Sequence, residues 1–164
     1  MKFKNLVLTL SVLMMLAFTS MAAAAPSQVN RSMTAINAAK AEIPAVCELV
    51  GYNVDGDTSI ITFKDPNTLE RYVVDVNTAT AKVQEIEVKG ATFVMGSTMV
   101  TKTPDDIEKI VLKNYPNAYE IVITQGQDGN NIYYIADFLT DKFDGELKLD
   151  PVTGAICERE LEYF

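Results

Sequence analysis

Apolar and polar positions alternate along this chain with two periods, one helical and one of a strand, and the succession occurs twice. Ala35, Ala38, Ala39 and Ile43 recur at helical spacing behind Ser32 or Thr34 as N-cap, and Pro44 stops that helix. Strands are predicted over 46–54, 59–64 and 71–76, separated by the turns Asp55-Gly56-Asp57 and Asp65-Pro66-Asn67. The chain then runs extended through Val83, Ile86 and Val88. Gly90 and Gly96 interrupt the pattern, so 91–100 reads as a linker with room for a short strand. The second helix is plainer. Thr103-Pro104-Asp105-Asp106 supplies a capping oxygen, a proline at the first helical position and acids in the first turn. Ile107, Ile110, Val111 and Tyr115 form its apolar stripe, and Pro116 closes it. Strands over 119–125, 132–139, 146–149 and 155–163 follow, with a hairpin tip at Asp128-Gly129-Asn130.

Two short strings carry the same order of residue types. Tyr72-Val73-Val74-Asp75-Val76-Asn77-Thr78-Ala79 and Leu147-Lys148-Leu149-Asp150-Pro151-Val152-Thr153-Gly154 each run from an apolar strand through an Asp to a Thr and a small residue. Asp75 and Thr78 are therefore aligned with Asp150 and Thr153 as fold-defining turns. Asp150 is expected to accept from backbone amides two or three residues on, and Gly154 to supply a positive φ. The expectation is an α+β protein of two repeats, each one N-terminal helix packed on a three- to four-stranded antiparallel sheet.

The N-terminus changes where this protein is expected to work. Lys2 and Lys4 precede an uncharged apolar run from Leu6 to Phe18, and the alanines at 22–25 offer small-residue cleavage sites. Residues 1–24 read as a signal peptide, 25–100 as the first repeat with its linker, and 101–164 as the second. An uncleaved anchor is the alternative, but the run is diluted by Thr9 and Ser11 and falls short of the roughly 20 apolar residues of a span. The mature chain is expected to be exported to the periplasm, envelope or medium, without a membrane span.

Charge narrows the partners. The chain has 22 acidic and 14 basic residues, a formal net charge of −8; without Lys2 and Lys4 the balance is 22 against 12, or −10. Such a surface repels nucleic acid. It suits a basic protein or peptide. Cys47 and Cys157 are the two cysteines. They are a candidate disulfide in an oxidising compartment, and the other state is a pair of thiols acting as small apolar groups. Both are expected to be at least partly buried, with the bridge the less favoured state.

The second half, from Thr103 to Phe164, resembles a PepSY domain: a capped helix, a hairpin, then Gly145-x-Leu147-x-Leu149-Asp150-x-x-Thr153-Gly154-x-Ile156. The first half departs from the pattern, keeping Thr78 but placing Ala79 where the glycine stands. The resemblance implies a small α+β module of the kind found in propeptides of secreted metallopeptidases and in exported bacterial proteins. It implies a non-enzymatic role that modulates or inhibits a secreted peptidase.

The residue inventory argues against several chemistries. No histidine is present, so neither a Ser-His nor a Cys-His pair exists. Two distant cysteines do not make a zinc site. Asn53-Val54-Asp55-Gly56-Asp57 has its glycine too early for a calcium loop. No cofactor or metal site is expected. A carboxylate pair, Asp141 and Asp144, leaves a carboxylate hydrolase as the minor enzymatic reading. One strand leans toward binding: in Ile132–Phe138 one face suits a helix, while Tyr133 and Ile135 on the other need cover from the other repeat, a second copy or a partner. The sequence thus points to an exported protein-binding module, with an envelope or surface spacer as the alternative.

Overall fold

A computed structural model describes residues 28–90 and 96–164. The signal-peptide reading and the first half of the linker, 91–95, lie outside the described residues. Two helices, α1 (Gln28–Ala41) and α2 (Pro104–Asn114), accompany eight strands. These are β1 (Glu48–Asp55), β2 (Thr58–Lys64), β3 (Arg71–Asn77), β4 (Val83–Lys89), β5 (Tyr119–Asp128), β6 (Asn131–Leu139), β7 (Phe143–Leu149) and β8 (Ile156–Tyr163).

The strands form one antiparallel sheet in the order β1-β2-β3-β4-β8-β7-β6-β5. This overturns the expected pair of separate helix-on-sheet units: the molecule is a single, mostly β sheet with two helices. The reason lies at β4 and β8. Each would be an edge strand with a row of unpaired N–H and C=O groups if the halves stood apart. Instead 85–89 of β4 pairs with 158–162 of β8, in register Glu85 to Glu162 through Lys89 to Glu158.

Both helices lie on one side of the sheet. α1 packs on β2 and β3, and α2 on β5 and β6. Beneath them run the buried rows Ile61, Val74, Ile86, Leu161 and Phe63, Tyr72, Val88, with Leu147, Ala136 and Phe138 continuing the layer. Aromatic contacts bind the end of α2 to this layer: Tyr115 lies 4.8 Å from Phe138 and 5.9 Å from Phe143, centroid to centroid. α2 begins where the sequence places it, with Thr103 as N-cap and Asp106 completing a reciprocal capping box. α1 starts earlier than expected, so Ser32 and Thr34 lie within it. The Thr34 hydroxyl donates to the Asn30 carbonyl instead of capping.

Candidate functional site

The side of the sheet away from the helices has no covering element among the described residues. Residues directly opposite one another across antiparallel strands share a face, so the pairing fixes what this face displays. One row crosses it as Glu87, Glu160, Glu146 and Asp137 on β4, β8, β7 and β6. The next crosses it as Asp75, Glu85, Glu162 and Asp144 on β3, β4, β8 and β7. Eight carboxylates thus form a two-row block over the centre of the sheet.

A third row limits the block on one side: Arg71, Lys89, Glu158 and Lys148. Lys89 reaches Glu87 at 2.6 Å, and Lys148 reaches Glu158 at 3.2 Å and Glu146 at 3.4 Å. Glu158, almost fully buried, is held between the two lysines, with Lys89 at 3.8 Å. The other six carboxylates of the block have no ion pair among the described residues. Five acids, Asp137, Asp144, Glu146, Glu160 and Glu162, line a shallow hollow of about 180 Å³.

Crowding leaves its mark on the acids' protonation. Partial burial pushes the Glu85 carboxyl above the ordinary carboxylate range, and Glu160, Asp75, Glu162 and Glu87 push it further. Asp75 is raised by burial and then by Glu87. Asp137 is raised by burial and then by Glu146 and Asp144. Glu160 is raised by burial and then by Glu146, outweighing the nearby Lys148. Neighbouring carboxylates disfavour each other's charged form because each feels the other's field across partly dry protein.

The acidic block was visible only in part from sequence. Glu85-x-Glu87 and Glu158-x-Glu160-x-Glu162 each show same-face spacing. That the two strings lie side by side depends on the β4–β8 pairing, which no local pattern predicts. Of the expected face residues, Tyr133 and Ile135 do lie on this side of β6, half-buried at the margin of the block. Tyr133 lies across Gly126 of β5, where a side-chain Cβ would stand 2.4 Å from the phenol ring. Asp141 and Asp144 are not brought together: Asp144 lines the acidic hollow, and Asp141 lines another beside the end of α2.

The turn residues have a different register from the one expected. Asp150 Oδ1 accepts from the Val152 amide, the Thr153 amide and the Thr153 hydroxyl, and Gly154 has φ +75°. The matching turn between β3 and β4 is built on Asn77, which accepts from the Ala79 and Thr80 amides and the Thr80 hydroxyl, with Ala81 at φ +55°. Asp75 lies within β3, and the Thr78 hydroxyl bonds Ser59 at 3.1 Å. Cys47 is buried before β1 and Cys157 is partly exposed in β8; both are free thiols. Burial raises both thiol pKa values, aided by Asp65 and Glu70 at Cys47 and by Asp150 at Cys157. Asn53–Asp57 forms the end of β1 and its turn into β2. Among the described residues no group of three or more His, Cys, Asp or Glu is arranged to hold a metal ion, and no helix is long and apolar enough to cross a membrane.

No family model and no curated protein matches the chain. Among solved structures it is similar to a candidate lipoprotein from Clostridium difficile 630, at 18% identity over 78% of this chain and 90% of that one, with a TM-score of 0.32. It is also similar to a BLIP-like protein from Bacteroides fragilis NCTC 9343, at 11% identity over 79% of this chain and 85% of that one, with a TM-score of 0.34. Likeness this loose assigns neither function nor site.

Proposed function

We propose that this chain is an exported, non-enzymatic binding protein whose open sheet face docks a basic surface of a partner protein. One observation supports the reading above the rest. Six cross-strand pairs on that face set like charges opposite each other: Glu87–Glu160, Glu160–Glu146, Glu146–Asp137, Asp75–Glu85, Glu85–Glu162 and Glu162–Asp144. Such pairs destabilise a sheet. Solubility alone does not require them to be adjacent, since the same charges dispersed over the surface would serve it. A cationic partner surface would relieve the repulsion on binding and gain long-range attraction. Export is supported by the basic, apolar and small-residue succession at the N-terminus. The resemblance of the β7–β8 turn to PepSY domains suggests a secreted peptidase as one class of partner, although its residues here serve the turn itself.

The test is a stability–binding opposition. Glu85→Gln, Glu160→Gln and Glu162→Gln combined should raise the melting temperature by a few degrees (~1–2 kcal/mol). The same variant should lose the basic protein that the wild-type chain retains from the native secretome. A variant that still holds that partner, or a wild-type chain that retains none, refutes the reading.

A second reading, a carboxylate hydrolase, draws on the raised Asp137 and Glu160 in the same hollow. It predicts that Glu160→Gln abolishes turnover of a glycoside or ester that the wild-type chain cleaves. The hollow's five acidic lining residues include no apolar or cationic group to orient such a substrate.

A further inference from the structure

We propose that the outer edge of β1 takes up an extended, lysine-bearing segment of a partner protein as an added strand. This goes beyond the acidic face and does not rest on it, because β1 stands at the end of the sheet, with three strands between it and β8.

β1 pairs with β2 on one side and with nothing on the other among the described residues. Natural edges are guarded by lysine, proline, bulges or cover. β1, Glu-Leu-Val-Gly-Tyr-Asn-Val-Asp, contains no lysine, arginine or proline, and its one guard is the bulge between Leu49 and Gly51. It exposes Leu49, Val50, Tyr52 and Val54, Val50 by 58%. The opposite edge differs: past its own bulge between Tyr119 and Val122, β5 continues as Ile-Thr-Gln-Gly-Gln-Asp, mostly polar.

The helix side adds a shelf. Leu49, Tyr52 and Val54 stand opposite Phe63, Ile61 and Ser59, all buried. α1 packs chiefly on β2 and β3, so the β1 members of these pairs stay part-exposed, Tyr52 by 38% and Leu49 by 44%. Tyr52 and Val54 open into a groove of about 370 Å³ beside the start of α1, bounded further by Arg31 of that helix, by Asp57 and by Thr78 and Ala79. A ninth strand would complete the backbone hydrogen bonds of β1 and lay alternate apolar side chains on this shelf.

Charge chooses the occupant. Acids bound the strand, Glu48 at its start and Asp55 at its end, with Asp57 just beyond. Two copies pairing antiparallel along the whole of β1 would set Glu48 against Asp55 at both ends, between chains of net charge −8. A segment alternating apolar and small polar residues, with a lysine near each end, sets one lysine beside Glu48 and the other beside Asp55 and Asp57. Those two acids stand against the single cation, Arg31, among the described residues at that end of the groove.

The experiment follows backbone amide shifts and hydrogen exchange of the full chain during titration. The probe is an acetylated octapeptide alternating valine and threonine, with a lysine at each end. Expected are shifts and slowed exchange confined to β1, about tenfold weaker binding of the same peptide with glutamate ends, and a similar loss in Val50→Lys. Val54→Lys, also on an exposed position, should repeat that loss. The Glu85→Gln, Glu160→Gln, Glu162→Gln variant should bind the peptide as wild type does. A loss there would show the lysines reading the acidic face and overturn the edge proposal while leaving the proposed function standing. The proposal is equally overturned by no binding at millimolar peptide, by equal affinity for the two peptides, or by changes centred on β5. Amides of β1 already protected without peptide would overturn it too, since the edge would then be covered.

Discussion

Asp65, Asn77 and Asp150 each begin the same turn, and the side-chain carbonyl or carboxylate does the same work in all three. Asp65 Oδ1 accepts from the Asn67 and Thr68 amides, and Leu69 has φ +64°. The other two turns repeat the arrangement with Ala81 and Gly154 in the left-handed position. One of the three holds a glycine, so the requirement there is more than φ. A Cβ at Gly154 would stand 2.5 Å from Ile110 Cδ1 and 2.6 Å from Lys102 Cε, which ties the turn to the start of α2. Gly154→Ala should therefore cost on the order of 1 kcal/mol or more in a urea melt. Ala81→Gly should change stability by less than about 0.5 kcal/mol, because relieved strain and lost backbone entropy offset each other. Equal effects at the two positions would show that packing against Lys102 and Ile110 does not matter. Asp150 also titrates. Partial burial pushes its carboxyl up, but bonds from Ser97, Thr153 and Val152 together outweigh this and hold it below the ordinary range. The stability it contributes is present above the unfolded carboxylate pKa and lost as pH falls through its folded value. Asp150→Asn should flatten the acid limb of the stability curve below about pH 4.

Among the elements, α2 was the most legible, because its start is written in local chemistry. Thr103 accepts from the Asp106 amide at 3.3 Å while the Asp106 carboxylate accepts from the Thr103 amide at 3.0 Å. Thr103→Ala should destabilise the chain by about 1 kcal/mol in thermal or urea unfolding, and Thr103→Ser by much less. α1 was found but started too late, since the small polar residues that resemble caps sit inside it and its buried stripe, Ala35 and Ala39, is narrow. The strands were legible from alternation, to within a residue or two at most ends. Their assembly was not. In sequence β4 is an extended run through Val83, Ile86 and Val88 and β8 a strand over 155–163, and nothing local to either makes them neighbours. The structure joins them. Backbone pairing and the apolar contacts of Ile86 with Leu161 on the helix side outweigh the carboxylates facing each other on the open side. The same join hid the candidate site, since its two acidic rows exist only once β4 and β8 are neighbours. The turn register slipped for a smaller reason. Asp75 and Asn77 are both plausible turn openers in sequence, and only the backbone shows that β3 runs through Asp75 to Asn77.

At the scale of the whole molecule, the sheet divides two kinds of work between its sides: the helix side supplies the apolar burial, and the open side concentrates charge. That separation predicts how stability responds to solution conditions. Asp75, Glu85, Asp137 and Glu160 all have folded pKa values raised above their unfolded ones. For a carboxyl of this kind the folded state binds the proton more tightly, so the fold gains stability as pH falls through the raised value and lacks that gain at neutral pH. Asp150 and Asp106 have lowered values and act in the opposite sense, but only below the ordinary carboxylate range. The melting temperature should thus rise on acidification from pH 7 to about 5, and fall again below about 4. Added salt should raise it at pH 7 by screening the six like-charge pairs, and do less on acidification as those carboxylates take up protons. In the variant carrying Glu85→Gln, Glu160→Gln and Glu162→Gln, both the acid gain and the salt gain should shrink together. A melting temperature that falls steadily from pH 7 to 5, or a salt response unchanged in that variant, would mean the carboxylates lie too far apart in solution to repel. The block would then be an ordinary hydrated surface.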